Sequence, residues 1–270
     1  MCSSDLNPGN QWLLSRLHDG WMGGIMEAIE GPNILAALWS HWFPGFPVPA
    51  VLLTAWLIMG FLIVVALLVA RHVTLEPGCL QNALETALEY VMGLSRQIAG
   101  PQGPRFAPLF ATLFLFILCS NLIGLVPGFV SPTTNLNINA AMALIVAGTA
   151  EFMNIRQRGL LGYGKHFCGP PYWLAPMFVI IRGMEVFTRP LSLTMRLFGN
   201  MLAKEIMLGV LVYMLTLFFF AHGIVFKLLT IVPLLLRPGI LLLGVLVGFV
   251  QALVFTALAM SYIGGALEKH

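Results

Sequence analysis

Charge is what this sequence has least of. Asp, Glu, Lys and Arg together supply 9% of its 270 residues, whereas a soluble domain carries about 25%. No charged residue occurs between Arg105 and Glu151. That scarcity excludes a water-covered globule. The formal net charge of +3, with no basic cluster interleaved with aromatics, excludes a nucleic-acid partner. The four cysteines, Cys2, Cys79, Cys119 and Cys168, include no CxxC pair and no histidine in ligand spacing, so they read as incidental core or interface residues. Histidines at 18, 41, 72, 166, 222 and 270 are too dispersed for a site. With no clustered carboxylates, His–metal set or activated nucleophile, an integral membrane enzyme has no support, and neither a metal nor a cofactor is expected. Internal repeats and low-complexity tracts are absent, and residues 1–20 show neither a basic n-region nor an apolar h-region of a cleavable signal.

What the chain has instead is long apolar runs, at 59% hydrophobic residues. Residues 51–70 are uncharged and end at Arg71 and His72, long enough to cross about 30 Å of hydrocarbon. Trp39 and Trp42, just upstream, suit an interfacial belt. Residues 77–99 differ in kind: Leu80, Leu84, Leu88, Val91 and Ile98 fall near helical spacing, with Gln81, Glu85, Glu89 and Arg96 opposite, which predicts an amphipathic surface helix. Apolar runs at about 106–126 and 136–154, separated by the turn PGFVSPTTNLNIN, predict a transmembrane hairpin. Two longer runs follow at about 177–221 and 232–263. The expected fold is an all-α polytopic membrane protein: a segment 1–50 outside the membrane, then a membrane domain 51–270 with one N-terminal span, a surface helix, a hairpin and two long tilted helices.

Basic residues set the expected orientation. With the first span running inward, Arg71, Arg96, Arg105, Arg156, Arg158, Lys165 and Lys269 face the cytoplasm, against Arg16, Lys227 and Arg237 outside. The positive-inside bias then places the acidic N-terminus outside and the C-terminus in the cytoplasm.

The stretch RPLSLTMRLFGNMLAKE, Arg189 to Glu205, heads an otherwise apolar run. Arg182, Arg189 and Arg196 are seven apart and share one helical stripe. Glu185 can pair with Arg182 or Arg189, and Pro190 predicts a bend or a new helix. Arg196 is different. An arginine isolated in hydrocarbon costs from about 2.5 to more than 10 kcal/mol, and the nearest in-helix acid beyond it, Glu205, is nine residues on and on the opposite face. Asn200, one turn away, can accept a hydrogen bond but cannot neutralise charge. In the last run, Gly244, Gly248 and Ala252 form a small-residue stripe for close helix approach, bordered by the lone polar Gln251.

RPLSLTMRLFGNMLAKE followed by QALVFTALAMSYIGGALE resembles the two C-terminal helices of subunit a of F-type ATP synthases, with support from LFLFILCSNLIGLVPG, SPTTNLNINAA and PYWLAP. The resemblance covers about residues 75–270. It implies a non-catalytic stator whose last two helices lie tilted against a rotating ring of c subunits, alongside the peripheral stalk subunit b, in a bacterial inner membrane. It implies that Arg196 is the essential arginine facing the ring carboxylates. Asn200, Glu205 and Gln251 match positions associated with a half-channel from the outer side, and Glu185 joins them as a candidate for ion translocation. Gly244 stands where some members have a histidine coupled to the Glu205 position, and Arg182 where many have a carboxylate. Protons are the expected coupling ion, with Na⁺ left open because the ion site is on the ring. The competing expectation is a secondary transporter in which Arg196 binds an anionic substrate; such proteins show paired halves and broken helices, and no repeat is found.

Overall fold

The computed structural model describes residues 34–42, 48–71, 78–126, 128–168, 175–220 and 229–267. The acidic N-terminal segment, Lys227, the PYW of PYWLAP and the tail from Glu268 lie outside the described residues. The helices are α1 (Ile34–Trp42), α2 (Ala50–Arg71), α3 (Cys79–Ala99), α4 (Ala107–Ile123), α5 (Leu136–Cys168), α6 (Ala175–Phe220) and α7 (Ile231–Leu267). Short 3-10 turns at Gly103–Phe106 and Pro132–Thr134 lead into α4 and α5. Among the described residues there is no strand, and five helices are long and apolar enough to cross a membrane. The chain is an all-α, multi-pass membrane protein.

The C-terminal half of α7 is the centre of the packing. Its Ala252, Phe255, Ala259, Met260 and Ile263 are fully enclosed, together with Phe110 and Ile117 of α4, Val146 of α5, and Leu193 and Leu197 of α6. Helices α3, α4, α5 and α6 all pack on α7. In contrast, α2 turns Trp56, Phe61, Ile63, Val64, Leu67 and Leu68 outward, as expected where hydrocarbon is the solvent. Trp39 of α1 meets Trp56 edge-to-face, with ring centroids 6.5 Å apart.

Three local features differ from the sequence expectation. Helix α3 docks on α4 and α7 through Leu84, Ala87, Val91, Leu94, Ser95 and Ala99, leaving Leu88 and Ile98 exposed and Gln81 buried. Its packed face is therefore rotated from the one its leucines suggest, because small residues allow the closer approach to α7. Helix α5 continues past residue 154 to Cys168, with a kink at Gly159, whose φ of 69° lies in the region glycine tolerates. Helix α6 runs on through Pro190 with no new helix starting there, and the Thr194 hydroxyl donates to the Pro190 carbonyl at 2.8 Å.

Helix α6 has 46 residues and α7 has 37. At about 1.5 Å per residue both are much longer than the roughly 30 Å hydrocarbon layer, so each must incline or protrude to match it. Arg196 lies near the middle of the apolar stretch Met177–Phe218.

Candidate functional site

Helices α6 and α7 run antiparallel, and three cross-ties set their register. Arg189 lies over the Tyr262 ring, 5.3 Å from Cζ to the centroid. Asn200 Nδ2 donates to Gln251 Oε1 at 2.6 Å. Lys204 passes Gly244, where an added Cβ would come within 3.2 Å of the Lys204 Cδ and 2.9 Å of Leu125 Cδ2. From Arg189 to Asn200 is eleven residues, and so is the step back from Tyr262 to Gln251. Arg196 therefore sits between two polar ties, level with the fully buried Phe255.

The arginines along this seam are treated differently. The Arg189 guanidinium pairs with Glu185 one turn earlier on α6, and both side chains are partly exposed. Together with the aromatic face of Tyr262, worth about 0.5–2 kcal/mol depending on desolvation, this pairing satisfies Arg189 within the chain. Arg196 is exposed and has no hydrogen-bond or ion-pair partner among the described residues. One turn to either side on α6, Ser192, Gly199 and Asn200 are also exposed. The result is a bare guanidinium at mid-helix on a face of small and polar neighbours.

Lys204 is the cation that sequence reasoning left out of the site. It is 8% exposed, and its Nζ donates to the Asn121 carbonyl at 3.2 Å. A lysine eight residues beyond Arg196 in the same apolar run was the available signal. Its burial is made possible by two neighbours that lack bulk. Gly244 leaves room for the lysine stem. At Gly248, an added Cβ would stand 3.0 Å from Asn121 Cβ, so the missing side chain lets α4 reach α7.

Asn121 is the second residue missed, flagged only by Ser120-Asn121 interrupting an apolar run. Its Nδ2 donates to the Gly248 carbonyl at 3.1 Å, and its Oδ1 accepts from the Thr133 hydroxyl at 2.9 Å. The Thr133 and Ser131 hydroxyl oxygens lie 2.8 Å apart, and the Ser131 hydroxyl donates to the Ser120 carbonyl at 2.7 Å. Asn139 Nδ2 donates to the Thr133 carbonyl at 2.7 Å. One asparagine thus joins α4, the Pro132–Thr134 turn, α6 and α7. Buried polar groups unsupported in this way would each cost about 1–3 kcal/mol.

A narrow cleft lies between α4, α6 and α7, lined by Asn121, Asn200, Lys204, Gly244, Gly248 and Gln251. The Gln251 side chain is 6% exposed, and its Nε2 has no acceptor among the described residues. Leu197, Met201 and Val247 complete its walls, so the cleft is mostly apolar with a few polar side chains converging on it. Such an arrangement has room for about one water among its polar groups.

Of the sequence-nominated residues, the fold brings Asn200 and Gln251 into contact beside this cleft and puts Arg196 one turn from Asn200 on the outer face. Glu205, half-buried, follows Lys204 directly. Glu185 stands apart, eleven residues before Arg196. No group of three or more His, Cys, Asp or Glu side chains with metal-binding geometry occurs among the described residues.

The family model described as the ATP synthase A chain matches residues 52–264. Among curated relatives, ATP synthase subunit a 1 of Syntrophotalea carbinolica is 49% identical over 80% of this chain and 84% of its own length. ATP synthase subunit a 2 of the same organism is 39% identical over 96% of both chains. ATP synthase subunit a of Geotalea daltonii is 42% identical over 79% of this chain and 86% of its own.

Proposed function

The chain belongs to the ATP synthase subunit a family, stators of the synthase's membrane sector, and on that premise we propose that Arg196 is the fixed charge separating two ion half-channels against a rotating ring of c subunits. The observation that carries this is the exposure of Arg196 at mid-helix with no partner among the described residues. An external counter-charge offsets the cost of a charge so placed.

The physics follows from that position. A ring carboxylate crossing lipid must be neutral. Facing Arg196 at about 4 Å and an effective dielectric near 20, its anion gains roughly 4 kcal/mol, enough to release its proton. Arginine does not give up its own proton, so it divides the half-channels without connecting them. The cleft lined by Asn121, Asn200, Lys204 and Gln251, with Glu205 beside it, forms part of the outer route. Glu185 holds the opposite end as the partner of Arg189. The subunit itself is non-catalytic: it passes protons, or Na⁺ if the ring selects it, and each charge moved releases about 2.3 kcal/mol per 100 mV. The remaining assignments are subunit b as a stalk partner, a bacterial inner membrane, residues 1–50 outside, the membrane domain over 51–270, and a cytoplasmic C-terminus.

Replacing Arg196 with alanine is the test. ATP synthesis driven by a proton gradient should fall to background while the complex remains assembled, as judged by co-purification of the c ring. Coupled synthesis at normal rates would overturn the assignment.

A further inference from the structure

We infer that Arg189, through its contact with Tyr262, is a positioning residue that sets the direction in which Arg196 points. The inference rests on the reading of Arg196 given above. A long helix inclined across an apolar bundle has little to stop it rolling about its axis, because its apolar faces are interchangeable with lipid. Rolling would swing Arg196 away from its outward position, either along the bundle surface or toward Phe255. Polar cross-ties resist that motion, since breaking one strands a polar or charged group in hydrocarbon.

On this seam, the Asn200–Gln251 bond lies four residues after Arg196 and the Arg189–Tyr262 contact seven before it. A single tie would leave the helix free to pivot about it. The second tie, on the far side of Arg196, removes that freedom. The parts of this second tie are built for holding. Glu185 grips the guanidinium from the same helix, aligning it before it meets the ring. Tyr262 is partly buried and packed against the core around Ile263 and Met260, so the aromatic face it presents belongs to the rigid centre of the molecule. Glu185 is thereby engaged by Arg189.

The experiment uses the whole complex in inverted membrane vesicles, comparing Arg189→Gln, Tyr262→Ala, Tyr262→Phe and the double variant Arg189→Gln/Tyr262→Ala. Two quantities are read: assembled complex per vesicle, and ATP-driven proton pumping per assembled complex. Arg189→Gln and Tyr262→Ala should each lower pumping per complex by about three- to ten-fold, the scale of a partly desolvated cation–π contact. The double variant should be no worse than either single one, as coupled partners require. Tyr262→Phe, which keeps the ring face, should pump normally. Unchanged pumping per complex in both single variants overturns the inference, even where assembly falls, because that is the mark of a merely structural role. So does a Tyr262→Phe variant as impaired as the alanine, or losses that multiply in the double variant. Arg196→Ala in the same vesicles separates the two claims: full pumping there defeats the reading of Arg196, whereas no pumping there beside full pumping in Arg189→Gln defeats only the positioning role.

Discussion

Arg196 and Lys204 are cations eight residues apart on one apolar helix, and the fold treats them in opposite ways. Lys204 is turned inward, enclosed, and given a backbone carbonyl. Arg196 is turned outward with nothing described to receive it. A protein that had to satisfy both charges internally would have built similar surroundings for each. On the reading proposed above, Lys204 serves the interior of this chain, whereas Arg196 is directed at a partner outside the described residues. The chemistry of the two side chains agrees. A compact ammonium on a flexible stem threads past Gly244, while a planar, permanently charged fork suits a carboxylate that arrives and leaves.

Exchanging the outward cation is the most severe way to break the comparison. Arg196→Lys keeps a formal charge but loses the fork and admits a group that can deprotonate in apolar surroundings; synthesis driven by a proton gradient should drop to background in an assembled complex. Near-normal synthesis would mean that any positive charge suffices. Filling the inward site comes next. Gly244→Val adds bulk where even a Cβ would press on Leu125 and Lys204, an overpacking cost of about 1–3 kcal/mol. The amount of chain retained in membranes, measured by immunoblot, should fall. Undiminished retention would show that Lys204 can vacate its place freely. The mildest change is Glu205→Gln, next to Lys204 in sequence and only half-buried. Proton flux through the membrane sector should slow by a few-fold, roughly 1 kcal/mol in the barrier. Flux unchanged between pH 6 and 8 would remove Glu205 from the route.

The membrane class of the chain was open to view in the sequence. Arg196 also stood out there, because a guanidinium amid leucines and methionines is costly wherever it sits. The contact between Asn200 and Gln251 was foreseeable only through resemblance, since fifty-one residues separate them. Lys204 and Asn121 were not singled out. Each is one polar residue in an apolar run, and only the meeting of α4, α6 and α7 makes them neighbours. On α3, Leu84 and Val91 kept the expected face, but Leu88 and Ile98 turned outward because Ser95 and Ala99, small enough for close contact, drew the packed face round.

Sequence alone determined that long helices would cross a membrane, since runs without charge leave the backbone no other way to satisfy its hydrogen bonds in hydrocarbon. It also raised the expectation that Arg196 would need a partner. Tertiary structure alone decided which way each side chain faces. In water, the alternation of polar and apolar residues marks the buried face of a helix. In a bilayer, lipid and protein interior are equally apolar, so the pattern carries no such mark. The direction of Arg196 outward and Lys204 inward was settled by where glycines let helices meet and where polar ties lock them.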